Sequence, residues 1–295
     1  MKEEASMTNS IITAPTHFLQ TPKEKYAYRR FGGKSQYPLL FLQHFTGTLD
    51  NWDPAVTDPL AADHDVILFE NAGVGRSSGK VPTTMAGMAE HVLAFLDTLG
   101  IRTCDVVGFS LGGVIAQQMV LENSKTFRRM ILVGTAPRGG DDIMHLDKPT
   151  LAKHLQDPKL KGYEVLQKIF FPPTETSQAA GKEFIGRLMQ RQEDRELISG
   201  PEVAKAQIAA FREWEQYKGK RFADLKRIQQ PTLVVNGVHD EMIPVSNSYY
   251  LSENLSNAVL LTYPDAGHGS LFQWHDSFTL QAKAFLASDS PYAPY

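Results

Sequence analysis

Six short apolar runs, none of them alternating, constrain most tightly what this chain can fold into. They are PLLFLQ (38–43), DVILFE (65–70), CDVVGF (104–109), RMILVGT (129–135), PTLVVNG (231–237) and AVLLTY (258–263). A strand with one wet face alternates apolar and polar side chains, whereas a strand covered on both faces has no reason to. Runs of this length, rich in Val, Ile and Leu, therefore predict a parallel sheet with helices on both sides. Helical spacing lies between them. Met85, Met88, Val92, Leu96 and Leu99 recur at three- and four-residue steps, and Gly100 stops the pattern. NSYYLSENL (247–255) and SFTLQAKAFLA (277–287) supply two further helices, and THFLQTPKEKYAYRRFG (16–32) reads as a hairpin around TPKEK. Strands alternating with helices give an α/β class with a mostly parallel, doubly wound sheet.

The rhythm stops between residues 136 and 230. That interval has no buried-strand run. It carries helical patterns instead, at Phe184, Ile185, Leu188 and Met189 and again at Ile208, Phe211, Trp214 and Tyr217. The expected organisation is a core of residues 15–135 and 231–287, with an α-helical cap inserted at 136–230 over the sheet's C-terminal edge. Residues 1–14 and 288–295 are expected to be flexible tails.

Composition narrows the partners. With 295 residues and 42% hydrophobic side chains the chain can bury a large core. Its formal charge is −3, and the one compact basic run, KGKR at 218–221, reads as a solvated helix end, so no nucleic-acid partner is expected. No apolar run reaches the length of a membrane span, and the N-terminus lacks the apolar core of a signal peptide. The lone Cys104 heads an apolar run and reads as a buried bystander. These features lead us to expect a cytoplasmic protein; they carry no signal for an oligomeric state.

The chemistry sits at DVVGFSLGGVIAQQM (105–119), where a strand pattern passes through a glycine-flanked serine into a helix pattern. G-x-S-x-G at such a junction is a nucleophile elbow: the serine backbone is strained, and Gly108 and Gly112 remove side chains that would clash. The following helix turns its N–H groups toward the serine oxygen. Ser110 is therefore the expected nucleophile. A serine hydroxyl needs a base, and the base needs an orienting acid. His268 in YPDAGHGS and Asp240 in VVNGVHDEMIP follow strands in the chain order such an elbow demands. Glu241, Asp265, Asp141 and Asp142 remain alternative acids. One oxyanion donor should be the Leu111 N–H and the other should come from HFTGTLDNW. His239 lacks a spaced partner and His145 and His154 lie nine apart, so neither a metal nor any other cofactor is expected.

With these residues placed, the chain resembles the α/β-hydrolase superfamily over about residues 25–287. The resemblance rests on GFSLGG, on NGVHDEMIP as a G-x-x-D-x-x-x-P acid loop, and on DAGHGS. NAGVGRSSG (71–79) is similar to the family's D-x-R-G-x-G-x-S segment, with Asn71 in place of the acid and no arginine before Gly73. Within the superfamily the chain looks most like the capped esterase, haloperoxidase (perhydrolase) and lactonase group. That group carries His-Gly-Phe after the third strand and a tryptophan seven residues past the phenylalanine; here QHF (43–45) stands there, followed by Trp52. The register implies Phe45 N–H as the second oxyanion donor, with His44 where glycine normally sits.

Serine at the elbow separates the chain from haloalkane dehalogenases and epoxide hydrolases, which use a carboxylate nucleophile in this fold. The expected activity is hydrolysis of small to medium apolar carboxylic esters through an acyl-enzyme on Ser110. His44, Trp52, Phe170, Phe171, Met189 and Trp214 are the expected pocket residues. The same triad would also serve perhydrolysis, acyl transfer, lactone opening or carbon–carbon bond hydrolysis. A catalytically weak ligand-binding protein is the non-enzymatic alternative.

Overall fold

The structure, a computed structural model, describes residues 10–292. Its strands are β1 (Thr16–Gln20), β2 (Lys25–Gly32), β3 (Leu39–Leu42), β4 (Asp65–Phe69), β5 (Cys104–Phe109), β6 (Phe127–Val133), β7 (Thr232–Gly237) and β8 (Ala258–Tyr263). They form one sheet in the order β1-β2-β4-β3-β5-β6-β7-β8. β1 and β2 make the predicted antiparallel hairpin, β2 also pairs antiparallel with β4, and every later pair is parallel. β3, β4, β5 and β7 are buried at every residue, which is why their sequences do not alternate. β8, at the edge, is only half-buried until Tyr263.

The helices are α1 (Pro54–Ala61), α2 (Met85–Thr98), α3 (Leu111–Glu122), α4 (Pro149–Leu155), α5 (Tyr163–Phe170), α6 (Glu175–Leu188), α7 (Pro201–Trp214), α8 (Ser246–Asn254), α9 (Ser270–Gln273) and α10 (His275–Ala287). α2 buries the face that its spacing outlined, with Met85, Met88, Val92 and Leu96 all inside. It ends at Gly100, whose φ of 72° is a left-handed value that a glycine adopts without strain.

Between β6 and β7 the described residues hold α4 to α7 and a short 3-10 turn, and no strand. This helical insertion is tied to the core by charge as well as by apolar contact. Asp53 caps α1 by accepting the Ala55 N–H at 2.9 Å, and the same carboxylate takes two bonds from Arg187 of α6, at 2.8 and 2.7 Å. Arg76 pairs with Glu196 at 2.7 Å, and Glu196 donates its N–H to Asp50 at 2.7 Å. Asp50 in turn holds the buried Arg29 guanidinium at 2.7 Å.

Parts of both expected tails are bonded to the core, and residues 293–295 of the second lie outside the described residues. Residues 1–9 of the expected N-terminal tail lie outside the described residues, but Ser10–Ala14 are packed down. Ile11 and Ala14 are buried, Ser10 donates to Asp58 at 2.7 Å, and Arg191 takes the carbonyls of Ile11 and Ala14. At the other end, Arg129 holds the carbonyls of Ser288 and Ser290. Cys104 is buried and free, and burial pushes its thiol pKa up, as suits a packing residue.

Candidate active site

β5 runs straight into Ser110, and α3 begins at the next residue. Ser110 has φ 56° and ψ −115°, a strained backbone for a side chain with a Cβ. Its N–H donates to Val133 O at 2.8 Å, and its carbonyl accepts from Thr135 Oγ1 at 2.8 Å, so both neighbours of the turn hold it. The two flanking glycines serve different contacts. A Cβ on Gly108 would stand 2.5 Å from Gly112 O, and one on Gly112 would stand 2.0 Å from Leu42 O. Gly108 therefore lets α3 close onto β5, and Gly112 lets β3 approach α3.

The loops after β7 and β8 bring the other two residues to the serine. His268 Nδ1 lies 2.8 Å from Asp240 Oδ2, with both side chains fully buried. Asp240 Oδ1 accepts the N–H groups of Met242 and Ile243, each at 2.9 Å. The carboxylate is therefore fixed at both oxygens, and the imidazole that donates Nδ1–H keeps Nε2 as an acceptor. Ser110 Oγ and His268 Nε2 are both buried with no hydrogen-bond partner. The alternative acids are engaged elsewhere. Asp141 binds Arg221 and Tyr250, Asp265 binds Thr174 and Thr176, Asp142 reaches Lys148, and Glu241 is exposed.

The loop expected to supply the second oxyanion donor follows β3. Gln43 braces it, accepting the His44 N–H at 2.9 Å and donating to Thr48 O at 3.2 Å. His44 Nδ1 bonds Phe45 O at 2.8 Å, Gly47 N donates to His44 O at 3.0 Å, and Thr46 N donates to Gln207 Oε1 at 2.7 Å. Among the described residues Phe45 N–H donates to nothing, and Leu111, at the first position of α3, has no acceptor within its own helix. These are the two N–H groups named from the sequence.

His44 does occupy the glycine position, and its ring is enclosed. Phe109 and Phe170 lie 5.4 and 5.2 Å away, centroid to centroid, and the same two rings flank His268 at 5.0 and 5.3 Å. Burial, reinforced by nearby His268, pushes the His44 pKa down to about 3 and keeps it neutral at working pH. Phe170, from the last turn of α5, thus roofs the His268 imidazole, and its carbonyl accepts the Gly269 N–H at 2.9 Å. A cavity of about 340 Å³ opens beside the loop, lined by His44, Thr46, Tyr163, Leu166, Leu197 and Ser199 among others.

Of the six expected pocket residues only His44 lines this cavity; Phe170 and Phe171 line a second one of about 560 Å³, and the other three lie elsewhere. Trp52 is buried edge-on against Phe41 at 5.0 Å, behind the loop, as packing. Trp214 is core: its indole N–H reaches Ala136 O, Arg138 stacks on it at 4.2 Å, and it lines a separate 30 Å³ cavity with Gln117. Met189 follows the end of α6 and is 45% exposed, touching Arg195. Phe171 is buried against Phe184 at 5.6 Å, one layer behind Phe170. The acid of the segment at 71–79 also shifts register. Glu70, not Asn71, accepts the N–H groups of Leu49 and Arg76, at 3.2 and 2.9 Å, and a Cβ on Gly75 would collide with its carboxylate. Gln207, Ser199 and Glu70 carry no motif of their own and were not singled out by sequence.

No helix among the described residues is long and apolar enough to cross a membrane, and no group of His, Cys, Asp or Glu among them is arranged to hold a metal ion.

Residues 37–178 match the family model described as alpha/beta hydrolase fold, and residues 204–291 match one described as TAP-like protein. An alpha/beta hydrolase fold protein from Chitinophaga pinensis is 41% identical, with 95% of this chain and 99% of that one covered and a TM-score of 0.88. A poly(3-hydroxyalkanoate) depolymerase of Ectopseudomonas oleovorans is 27% identical over 242 residues, covering 78% of this chain and 77% of its own. A Caulobacter sp. protein named as a candidate carbamate hydrolase is 28% identical over 244 residues, covering 81% and 86%.

Proposed function

This chain belongs to the alpha/beta hydrolase fold family, and from that premise we propose that it is a serine hydrolase that cleaves carboxylic esters of small to medium apolar substrates. The observation that carries the proposal is the buried His268–Asp240 pair at 2.8 Å, which leaves His268 Nε2 free to take a proton, together with Ser110 held at φ 56° with its Oγ likewise unpartnered. In this reading Ser110 Oγ attacks the ester carbonyl carbon as His268 Nε2 takes its proton. Asp240 holds the imidazole in that tautomer and stabilises its cation. The tetrahedral oxyanion sits on the N–H groups of Leu111 and Phe45. Collapse expels the alcohol, which takes the proton from His268. Water then repeats the cycle on the acyl-enzyme and releases the acid. His44, held neutral by burial, supplies no second base.

The lining of the 340 Å³ cavity, with Tyr163, Leu166 and Leu197, supports an apolar acyl group. The helical insertion acts as the cap that closes over it. The buried, unpaired Cys104 fits a reducing compartment such as the cytoplasm.

The test is a rate series on p-nitrophenyl esters from acetate to decanoate, with Ser110→Ala beside the wild type. We expect a chain-length optimum that Ser110→Ala abolishes, together with loss of fluorophosphonate labelling. Background rates across the series and an unlabelled wild-type Ser110 would overturn the reading.

A further inference from the structure

The peptide units around Phe45 are fixed one by one, and part of the fixing comes from the insertion. The peptide group is planar, so holding its C=O and N–H sets the orientation of the whole unit. In the unit joining His44 to Phe45, the carbonyl accepts Gly47 N–H at 3.0 Å and the Phe45 N–H is left free. In the unit joining Phe45 to Thr46, His44 Nδ1 holds the carbonyl at 2.8 Å and Gln207 Oε1 holds the N–H at 2.7 Å. In the unit joining Thr46 to Gly47, Ser199 Oγ donates to the carbonyl at 2.8 Å. Thr46 itself has φ 57°, a left-handed value that a β-branched residue keeps only when its surroundings impose it.

Both outside contacts on Thr46 come from the insertion. Ser199 stands just before α7, and Gln207 lies in the middle of α7, fully buried. Because a backbone N–H can only donate, the Gln207 atom facing Thr46 is its oxygen, and its Nε2 has no partner. A buried amide with half its hydrogen bonds unmade is a costly way to fill space, and the half that is made falls on the loop carrying the second oxyanion donor.

We propose that Gln207 is a positioning residue for the oxyanion hole: it holds Thr46 in its strained conformation, so Phe45 N–H faces the developing charge only while the insertion is docked. This rests on the serine-hydrolase reading above. It adds that a residue 161 positions from the loop, with no substrate contact assigned to it, controls transition-state binding. Tetrahedral states of both acylation and deacylation use the same hole, so both steps depend on it.

The test compares Gln207→Leu and Ser199→Ala with wild type on the best p-nitrophenyl ester. It also measures inhibition by a trifluoromethyl ketone, which Ser110 converts to a tetrahedral adduct, and by a simple apolar alcohol, which binds without one. Losing one oxyanion donor outright typically costs about 10²–10³ in kcat. Misaiming one should cost less, about tenfold to a hundredfold for Gln207→Leu and a smaller loss for Ser199→Ala. KM and the alcohol's affinity should change by less than about twofold, and the ketone should weaken in step with kcat/KM. Fluorophosphonate titration counts the folded, nucleophilic fraction in every preparation. Full titration with unchanged kcat and ketone affinity would overturn this inference alone. So would parallel losses in KM, alcohol binding and kcat, which mark a general loosening of the insertion. If Gln207→Leu does not fold, Ser199→Ala decides by the same criteria. An untitratable wild-type Ser110 would remove the serine-hydrolase reading and this inference with it.

Discussion

The enclosure of His44 has a consequence for acid stability that can be worked through. Its imidazole is 3% exposed, packed between Phe109 and Phe170, and burial followed by the proximity of His268 pushes its pKa from 6.5 down to about 3. The unfolded chain takes a proton on this residue below pH 6.5, whereas the native protein does not do so until near pH 3. The neutral imidazole therefore contributes stability that is complete above pH 6.5 and is lost as the pH falls from 6.5 toward 3. Each pH unit in that window removes about 1.36 kcal/mol. At pH 4.5, two units below 6.5, the loss is about 2.7 kcal/mol, a large share of the roughly 5–15 kcal/mol that holds a typical domain together. The native value lies well below 4.5, so this figure depends almost wholly on the unfolded one. Urea unfolding followed by circular dichroism at pH 7.5 and 4.5 measures it, with His44→Phe as the reference that keeps a ring in place. Every other titrating group is common to both proteins and cancels in the comparison. Wild type should lose about 2.7 kcal/mol more than His44→Phe between the two pH values. Losses that agree within about 0.5 kcal/mol would refute the enclosure argument, because a solvated His44 would contribute nothing to either.

Gly112→Ala should be severe. Its Cβ would stand 2.0 Å from Leu42 O, where ordinary contact begins at 3.4 Å, so β3 and α3 must part by about 1.4 Å, that is 3.4 minus 2.0. We expect about 3 kcal/mol or more of lost stability in thermal unfolding, plus a lower kcat because the oxyanion loop follows β3; wild-type stability would contradict the close approach. Phe170→Leu thins the roof over His268 for less than about 1.5 kcal/mol. It should raise the rate at which long-chain relative to short-chain phosphonates label Ser110, and an unchanged ratio would show that Phe170 does not limit access.

The parts of this fold that were legible in sequence are those whose cause is local. β3, β4, β5 and β7 are covered on both faces, and each strand's own composition records that coverage. The elbow is local in part: Gly108 answers a clash with the helix that follows its own strand, whereas Gly112 answers Leu42 O on β3. The acid was chosen by loop position; Asp240 does lie against His268, while Asp141 bonds Arg221 and Asp265 bonds two threonines. Aromatic spacing in the insertion was less informative. Trp214 and Met189 both fit an apolar helix stripe, but spacing does not say what the stripe faces. Trp214 faces the core and Met189 faces solvent. The register slip from Glu70 to Asn71 has a similar origin. A carboxylate that ends a buried strand looks like part of the strand until its acceptors are seen tying Leu49 to Arg76.

The seam between insertion and core was the least legible feature, because its residues look like an ordinary wet helix surface. Arg187, Ser199 and Gln207 find Asp53 and Thr46 across more than a hundred residues, and no spacing rule reaches that far. Yet the seam's composition suits its task. Ser110 is fully buried, so under the serine-hydrolase proposal an ester would reach it only by displacing what covers it. Opening an apolar seam exposes surface that water penalises at about 25 cal/mol per Å², with nothing gained in return. The polar part of this seam, Arg187–Asp53, Arg76–Glu196 and the Thr46 contacts, exchanges protein hydrogen bonds for water ones on opening, which nearly balance, while Phe170 on Phe109 and Phe184 on Phe272 resist it. Polar pairs also fix direction and distance, which apolar packing does not. Under the serine-hydrolase proposal, a seam pulled shut by apolar contact and aligned by polar pairs would return to one geometry at each closing, and with it the same oxyanion hole.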